Sequence, residues 1–311
     1  MSSGSRRAAC LLAGFAALST LADPARAGFV GRESMVFTAL AGDARHAALG
    51  AAGNPTADGE TALDGNPAAM ALRREYGFAA THLVWPDGFT GETVTAELPA
   101  GYNGVLGATG FLLLHDPLPV TTEILPDGNG SQSALLSAQV ALAAAAWATE
   151  GVAIGAGTRV AQARAGDDVT MAMVVDAGTV VVISPELIAG AAVRGLGQLL
   201  KARSARDPFP LEWQVGARYA PQEFPVAGLA GGVFPSWGPI RGGLGAELGE
   251  WYGGSVRCMA ELAEFGRFGY AIGVGAHHDM WNLDYAFAPA GVLGYAHRFT
   301  LAIRFGRRAN E

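Results

Sequence analysis

The chain has 311 residues, of which 50% are hydrophobic and only 16% charged, against about 25% charged in ordinary soluble domains. Its formal net charge of −7 argues against nucleic-acid binding, which needs clustered Lys and Arg to neutralise phosphates. Beyond the first residues there is no uninterrupted apolar run of about 18–20 residues, which argues against a membrane-spanning helix.

Residues 1–27 read as a secretory signal. Arg6 and Arg7 supply the positive start, Ala8–Leu21 the apolar stretch, and Ala25-Arg26-Ala27 the small-x-small cleavage site. The expected mature chain starts at Gly28. It loses three arginines (Arg6, Arg7, Arg26) and one aspartate (Asp23), which moves the net charge from −7 to −9. Cys10 falls within the signal, so Cys258 has no partner for an intrachain disulfide. Cys258 reads as a small apolar side chain on a strand.

Gly28–Leu72 precedes the first strand-like segment. Its residues 44–70 read ARHAALGAAGNPTADGETALDGNPAAM. The alanines from Ala44 to Ala52 around Arg45 predict a short helix with little side-chain bulk. Gly50 and Gly53 would permit close backbone contact. Asn54 and Asn66 are each followed by proline, and each is expected to cap a helix that starts at Pro55 or Pro67. The expected role of the segment is a compact, partly helical hatch in a lumen, with Asn66-Pro67 either a hinge or a rigid turn.

From residue 73 onward the sequence alternates with period two. Leu211, Trp213, Val215, Ala217 and Tyr219 alternate with Glu212, Gln214, Gly216, Arg218 and Ala220. Phe268, Tyr270, Ile272 and Val274 alternate with glycines and Ala271, and Phe299, Leu301, Ile303 and Phe305 with Arg298, Thr300, Ala302 and Arg304. The most helix-like stretch, Ala134–Ala148, also alternates, and its neighbours favour a strand. Turn signals divide residues 74–306 into about fourteen segments, with loops expected at His115–Ser131 and Lys201–Pro210 and a short turn at Gly253-Gly254. One face is large and apolar and the other is Gly, Ala and isolated charges. That pattern suits a transmembrane antiparallel β-barrel, lipid outside and lumen inside. Trp85, Trp213, Trp237, Trp251, Tyr252, Trp281 and Tyr285 lie near segment ends, where interfacial girdles form.

On the expected lumen face fall Arg159, Glu212, Arg218, Arg241, Glu247, Arg257, Glu261, Asp284, Arg298 and Arg304. Both signs are present, so pairing among them and with the hatch is expected to offset the cost of isolated charge. His277-His278-Asp279 invites a metal reading, but adjacent strand residues point to opposite faces, and no metal or cofactor is expected. No Gly-x-Ser-x-Gly elbow is present, and an enzyme is not expected.

Four stretches together resemble the PorV/PorQ family, which is related to FadL-type barrels. They are the Ala-Arg to Asn-Pro-Ala pattern of ARHAALGAAGNPTADGETALDGNPAAMAL, then THLVWPDGFTGETVTAELP at 81–99, RGGLGAELGEWYGGSVRCMAEL, and NLDYAFAPAGVLGYAHRFTLAIRFG at 282–306. The likeness spans nearly the whole mature chain. Residues 165–210 match loosely, and Arg307–Glu311 extends past the usual terminal aromatic, so Phe305 would serve as the assembly signal read by the barrel-assembly machinery. The resemblance implies an all-β barrel of about 14 strands (73–311) plugged by the hatch (28–72) in the bacterial outer membrane. It leaves two roles open. One is transport or secretion across that membrane, of hydrophobic small molecules in the FadL-like case. The other is a plugged, non-conducting barrel that docks secreted or surface proteins through its loops.

Overall fold

The computed structural model describes residues 35–306 apart from 41, 60–61, 122, 125, 202–208, 237–238, 252, 264–266 and 291–292. The expected signal, the first residues of the expected hatch, Trp237, Tyr252, the Trp251 side chain and the Arg307–Glu311 tail lie outside the described residues.

Fourteen antiparallel strands close into a barrel. In chain order they are β1 (Tyr76–Trp85), β2 (Phe89–Ala100), β3 (Gly104–Pro119), β4 (Gln132–Thr149), β5 (Val152–Ala165), β6 (Asp168–Ser184) and β7 (Leu187–Lys201). They continue as β8 (Glu212–Tyr219), β9 (Val226–Pro235), β10 (Arg241–Trp251), β11 (Gly254–Ala263), β12 (Arg267–His278), β13 (Trp281–Pro289) and β14 (Tyr295–Phe305). Each strand pairs with its sequence neighbours, and β14 closes on β1 from Tyr76↔Phe305 to Val84↔His297. Closure removes free edges and satisfies the backbone polar groups between strands.

Burial follows the two-residue period. In β1, Gly77, Ala79, Thr81 and Leu83 face inward while Phe78, Ala80, His82 and Val84 face out. Outward side chains include Leu244 and Phe268, each 70% exposed. Ala134–Ala148 lies in β4, paired along both edges with β3 and β5.

Three expectations need correction. The expected loop from His115 is shorter, because the β3–β4 ladder resumes past a bulge with Leu118↔Ser133 and Pro119↔Gln132. Trp85 is not an outward girdle residue. It continues the inward parity of Leu83 and packs against the cluster containing Leu83 and Phe111. Asn54 does not cap a following helix but ends the preceding one, with its N–H donating to the Gly50 carbonyl. Its backbone is already helical, which an N-cap is not.

The hatch lies inside the barrel. A 3-10 turn (Val36–Ala39) leads to α1 (Ala44–Gly53), then α2 (Ala62–Gly65) and a 3-10 helix (Pro67–Leu72). α1 packs against β8 to β14, and the Pro67–Leu72 helix against β3 to β6. Asp43 caps α1 by accepting from the His46 N–H at 2.6 Å. Gly50 bends the helix with φ 47° and ψ −138°, a conformation that glycine adopts without a Cβ penalty.

Candidate functional site

The lumen is layered. Where β1 runs up to Trp85 and β3 to Pro119, the loop end holds an apolar compartment built from Leu83, Phe111, Leu113, Ala172, Val174, Phe209 and Ala296. Met35 and Phe37 of the hatch fill it, with Phe37 stacked on Phe111 at 6.5 Å between ring centroids. Two wall arginines hold the turn that carries Phe37. Arg298 donates to the Leu40 carbonyl at 2.9 Å and Arg159 to the Thr38 carbonyl at 3.3 Å.

Below this compartment runs a band of charge. Arg159 is 2% exposed and pairs with Asp176 at 2.8 Å. Asp176 also accepts from the Gly195 N–H at 2.8 Å. Glu212 lies 3.8 Å from Arg194 and 3.1 Å from Arg241. Glu261 has inward strand parity and is half-buried on β11.

The middle layer is the hatch itself, seated on glycines. A Cβ on Gly155 would strike Pro67 and Ala68, one on Gly190 the Pro55 carbonyl, one on Gly216 the Pro55 ring, and one on Gly243 the Ala52 nitrogen. Strands without side chains at these points let the hatch backbone approach the wall directly. Asn66 caps the Pro67–Leu72 helix, accepting from the Ala68 N–H at 3.1 Å, with Pro67 in the first turn. Its amide donates to the Pro55 carbonyl at 2.8 Å and to the Thr179 carbonyl at 3.1 Å. On the other side, Thr300 accepts from the Ala44 N–H at 2.9 Å and anchors the start of α1. Gly53 closes α1 against Leu49.

Toward the end where β1 starts and β14 finishes, Arg45 reaches down from α1. Its Nε and Nη2 both bind Glu247 at 2.8 Å, a bidentate pair, and its Nη1 binds Asp58 at 2.8 Å. Arg257 also binds Glu247 at 2.8 Å and further pairs with Asp284 at 2.5 Å. Arg73 pairs with Asp58, and Arg218 lies 4.0 Å from Glu247. Burial alone would pull the Arg45 guanidinium toward deprotonation, but the Glu247 and Asp58 carboxylates outweigh it and hold its pKa well above the ordinary value. Burial likewise works against the Asp58 anion, and Arg73 and Arg45 overcome it, holding that carboxyl well below the usual range. This cluster roofs a cavity of about 370 Å³ that Arg304 also lines.

His277 faces that cavity while His278 is solvent-exposed, 3.6 Å from Asp279. No metal-ligating cluster of three such side chains occurs among the described residues. Phe305 faces outward and stacks on Tyr76 at 5.6 Å.

Sequence reasoning singled out the wall charges but not Asp58, Asp64, Arg73, Asp176 or Arg194. Strand parity offered a signal for Asp176, a lone acid inward between Val174 and Gly178. No local period marks Asp58 and Asp64, because they sit in the irregular hatch.

No family model matches the sequence, and no curated protein matches it. Solved structures share its fold. The Ralstonia pickettii toluene transporter TbuX is 15% identical with a TM-score of 0.57, over 88% of this chain and 100% of that one. The Pseudomonas putida toluene transporter TodX is 10% identical with a TM-score of 0.57, over 85% of this chain and 96% of that one. A Pseudomonas aeruginosa FadL homologue is 11% identical with a TM-score of 0.54, over 82% and 96%. The fold is that of FadL-like barrels.

Proposed function

We propose that this chain is a bacterial outer-membrane barrel, exported by its N-terminal signal, that passes hydrophobic small molecules from its loop side through a movable hatch. The carrying observation is the layered lumen. An apolar compartment, occupied by Phe37 of the hatch, lies at the loop end, and the charged cluster lies on the far side. Cargo with aromatic or aliphatic surface would replace Phe37 in that compartment and gain similar burial. The outward apolar belt supports the membrane setting, as do the shared fold and the roles of TbuX and TodX as toluene transporters. The role is non-enzymatic. Phe305, at the end of β14, is the proposed assembly signal.

The experiment is protein-dependent uptake of labelled toluene by cells carrying the folded barrel. Uptake above that of cells without it supports the reading, and Phe37→Ala should raise the rate by unblocking the compartment. Equal uptake with and without surface-exposed, folded protein sinks it.

A second reading, of the PorV/PorQ type, is a plugged barrel that serves secretion by docking exported proteins. What favours it is how firmly the hatch is held, by a bidentate buried ion pair and by backbone contact at wall glycines. Co-purification of a secreted protein or secretion component in mild detergent, together with absent toluene uptake, would select it.

A further inference from the structure

One carboxylate–imidazole pair faces away from the lumen. His82 of β1 and Glu92 of β2 both have outward parity, and His82 Nδ1 lies 2.6 Å from Glu92 Oε1. Both side chains are about half exposed. Among the described residues the other ion pairs made between strands lie in the lumen. Tyr295 and Phe305 stand ten residues apart on the outward face of β14. At about 3.4 Å per residue and about 40° of tilt they span roughly 26 Å of height, the whole of an apolar band of about 25 Å. His82 pairs with Phe299, four residues in from Tyr295, and so stands about 10 Å inside that band. Acyl chains offer a carboxylate and an imidazole no hydrogen bond, which makes lipid a poor cover for the pair.

We infer that the outward face of β1 and β2 docks a second copy of this chain across a two-fold axis along the membrane normal. The dimer rests on the membrane setting proposed above, whether or not the barrel conducts. His82 and Glu92 are direct partners in the β1–β2 register. Strands about 4.8 Å apart and tilted about 40° keep them within about 3 Å of the same height. A two-fold between β1 and β2 therefore sets His82 against Glu92 of the second copy, and Glu92 against its His82. In the ion-paired form His82 has a second N–H at Nε2, and Glu92 has a second oxygen, Oε2. Neither atom has a further hydrogen-bond partner among the described residues. Each copy thus offers the donor and the acceptor that the other needs, whereas a partner of one charge would serve only one of them. The flank of the pair is low. Ala80 and Ala96 are exposed on the same face, and a Cβ added at Gly110 of β3 meets nothing within 4 Å. Small side chains let two walls approach closely enough for the pairs to meet.

The test is bis-maleimide crosslinking in intact outer membranes, with Cys258→Ser as background and expression set so that crosslinking is partial. Ala80→Cys, one outward position below His82, should give a band of twice the chain mass. Leu244→Cys, exposed on β10 away from this face, should not. Adding Glu92→Gln to Ala80→Cys removes both symmetric contacts and should lower the yield at least about tenfold. The exchange His82→Glu with Glu92→His keeps the charges complementary and should restore it. Folded, membrane-inserted Ala80→Cys that stays uncrosslinked overturns the dimer. A band at the mass of a different protein overturns the second copy as occupant, and equal yield from Leu244→Cys overturns the face. A yield unchanged by Glu92→Gln, or unrestored by the exchange, overturns the role of the pair. A folded chain missing from the outer-membrane fraction sinks the membrane reading and the dimer with it, whereas monomers in that fraction sink the dimer alone.

Discussion

The Asn66 side chain occupies the space where a Cβ on Gly178 of β6 would stand. The same amide ties the Pro55 and Thr179 carbonyls together. One asparagine thus joins two hatch segments to the wall, and the wall has given up a side chain to admit it. This arrangement favours the rigid-turn reading of Asn66-Pro67 over the hinge.

Gly178→Ala should therefore lift the Asn66 turn from its seat. The Ala191 carbonyl across the strand pair, 3.1 Å from the added carbon, leaves the methyl little room to escape. Loss of the Asn66 hydrogen bonds should cost about 1–3 kcal/mol. Limited proteolysis of the hatch checks this. The variant should be cleaved between Pro55 and Leu72 faster than the parent, with the barrel unaffected.

Glu247→Gln should weaken the hatch far more. It leaves Arg45 and Arg257, both buried beside it, short of a charged partner. Removing one member of a buried ion pair costs about 3–5 kcal/mol. The heat-modifiable gel transition of the variant should fall well below that of the parent. In a double-mutant cycle with Arg45→Met the two losses should be strongly non-additive. Additive losses would mean that the pair does not hold the hatch.

Asp64→Asn should stabilise the fold. Asp64 is 5% exposed, neither oxygen accepts a hydrogen bond, and Arg159 approaches no closer than 4.0 Å. Burial pushes its carboxyl above the usual value, and Arg159 and Arg194 offset only part of this. A raised folded value means that stability is fully present below the unfolded value and is lost as pH rises through the folded one. At neutral pH the ionised group is therefore a cost, which an amide removes. The unfolding transition of Asp64→Asn should rise at neutral pH and match the parent in acid.

The hatch should have a pH optimum on the weakly acidic side. Asp58 is held well below its ordinary 3.8, so its contribution is complete above that value and fades only as pH falls through the lower folded one. His46 acts in the opposite sense. Burial would lower its pKa, but the Asp43 carboxylate 2.8 Å away more than compensates and raises it above 6.5. Its contribution is complete below 6.5 and is lost as pH rises through the folded value. Hatch proteolysis should therefore accelerate on the alkaline side, and His46→Gln should flatten that limb while leaving the acid limb in place.

Much of the barrel was legible because its signal is local. Leu211–Tyr219 and Phe299–Phe305 display the two-residue period without reference to any partner, and lipid outside a lumen requires that period. Asn66 before Pro67 was legible as a cap for the same reason, since cap and helix are adjacent. Asn54 shared the dipeptide and behaved differently, because α1 reaches it from the N-terminal side and uses it as its C-cap. Trp85 was misassigned because nearness to a strand end does not fix the face. Its parity with Leu83 does.

The sequence by itself determined the alternation and the approximate strand count, because each rests on neighbours a few positions apart. The tertiary structure decided what those groups meet. Arg45 and Glu247 stand 202 residues apart, and only the closure of β14 on β1, with α1 laid across the lumen, brings them to 2.8 Å. The same closure makes strand glycines such as Gly178 and Gly243 into seats for the hatch.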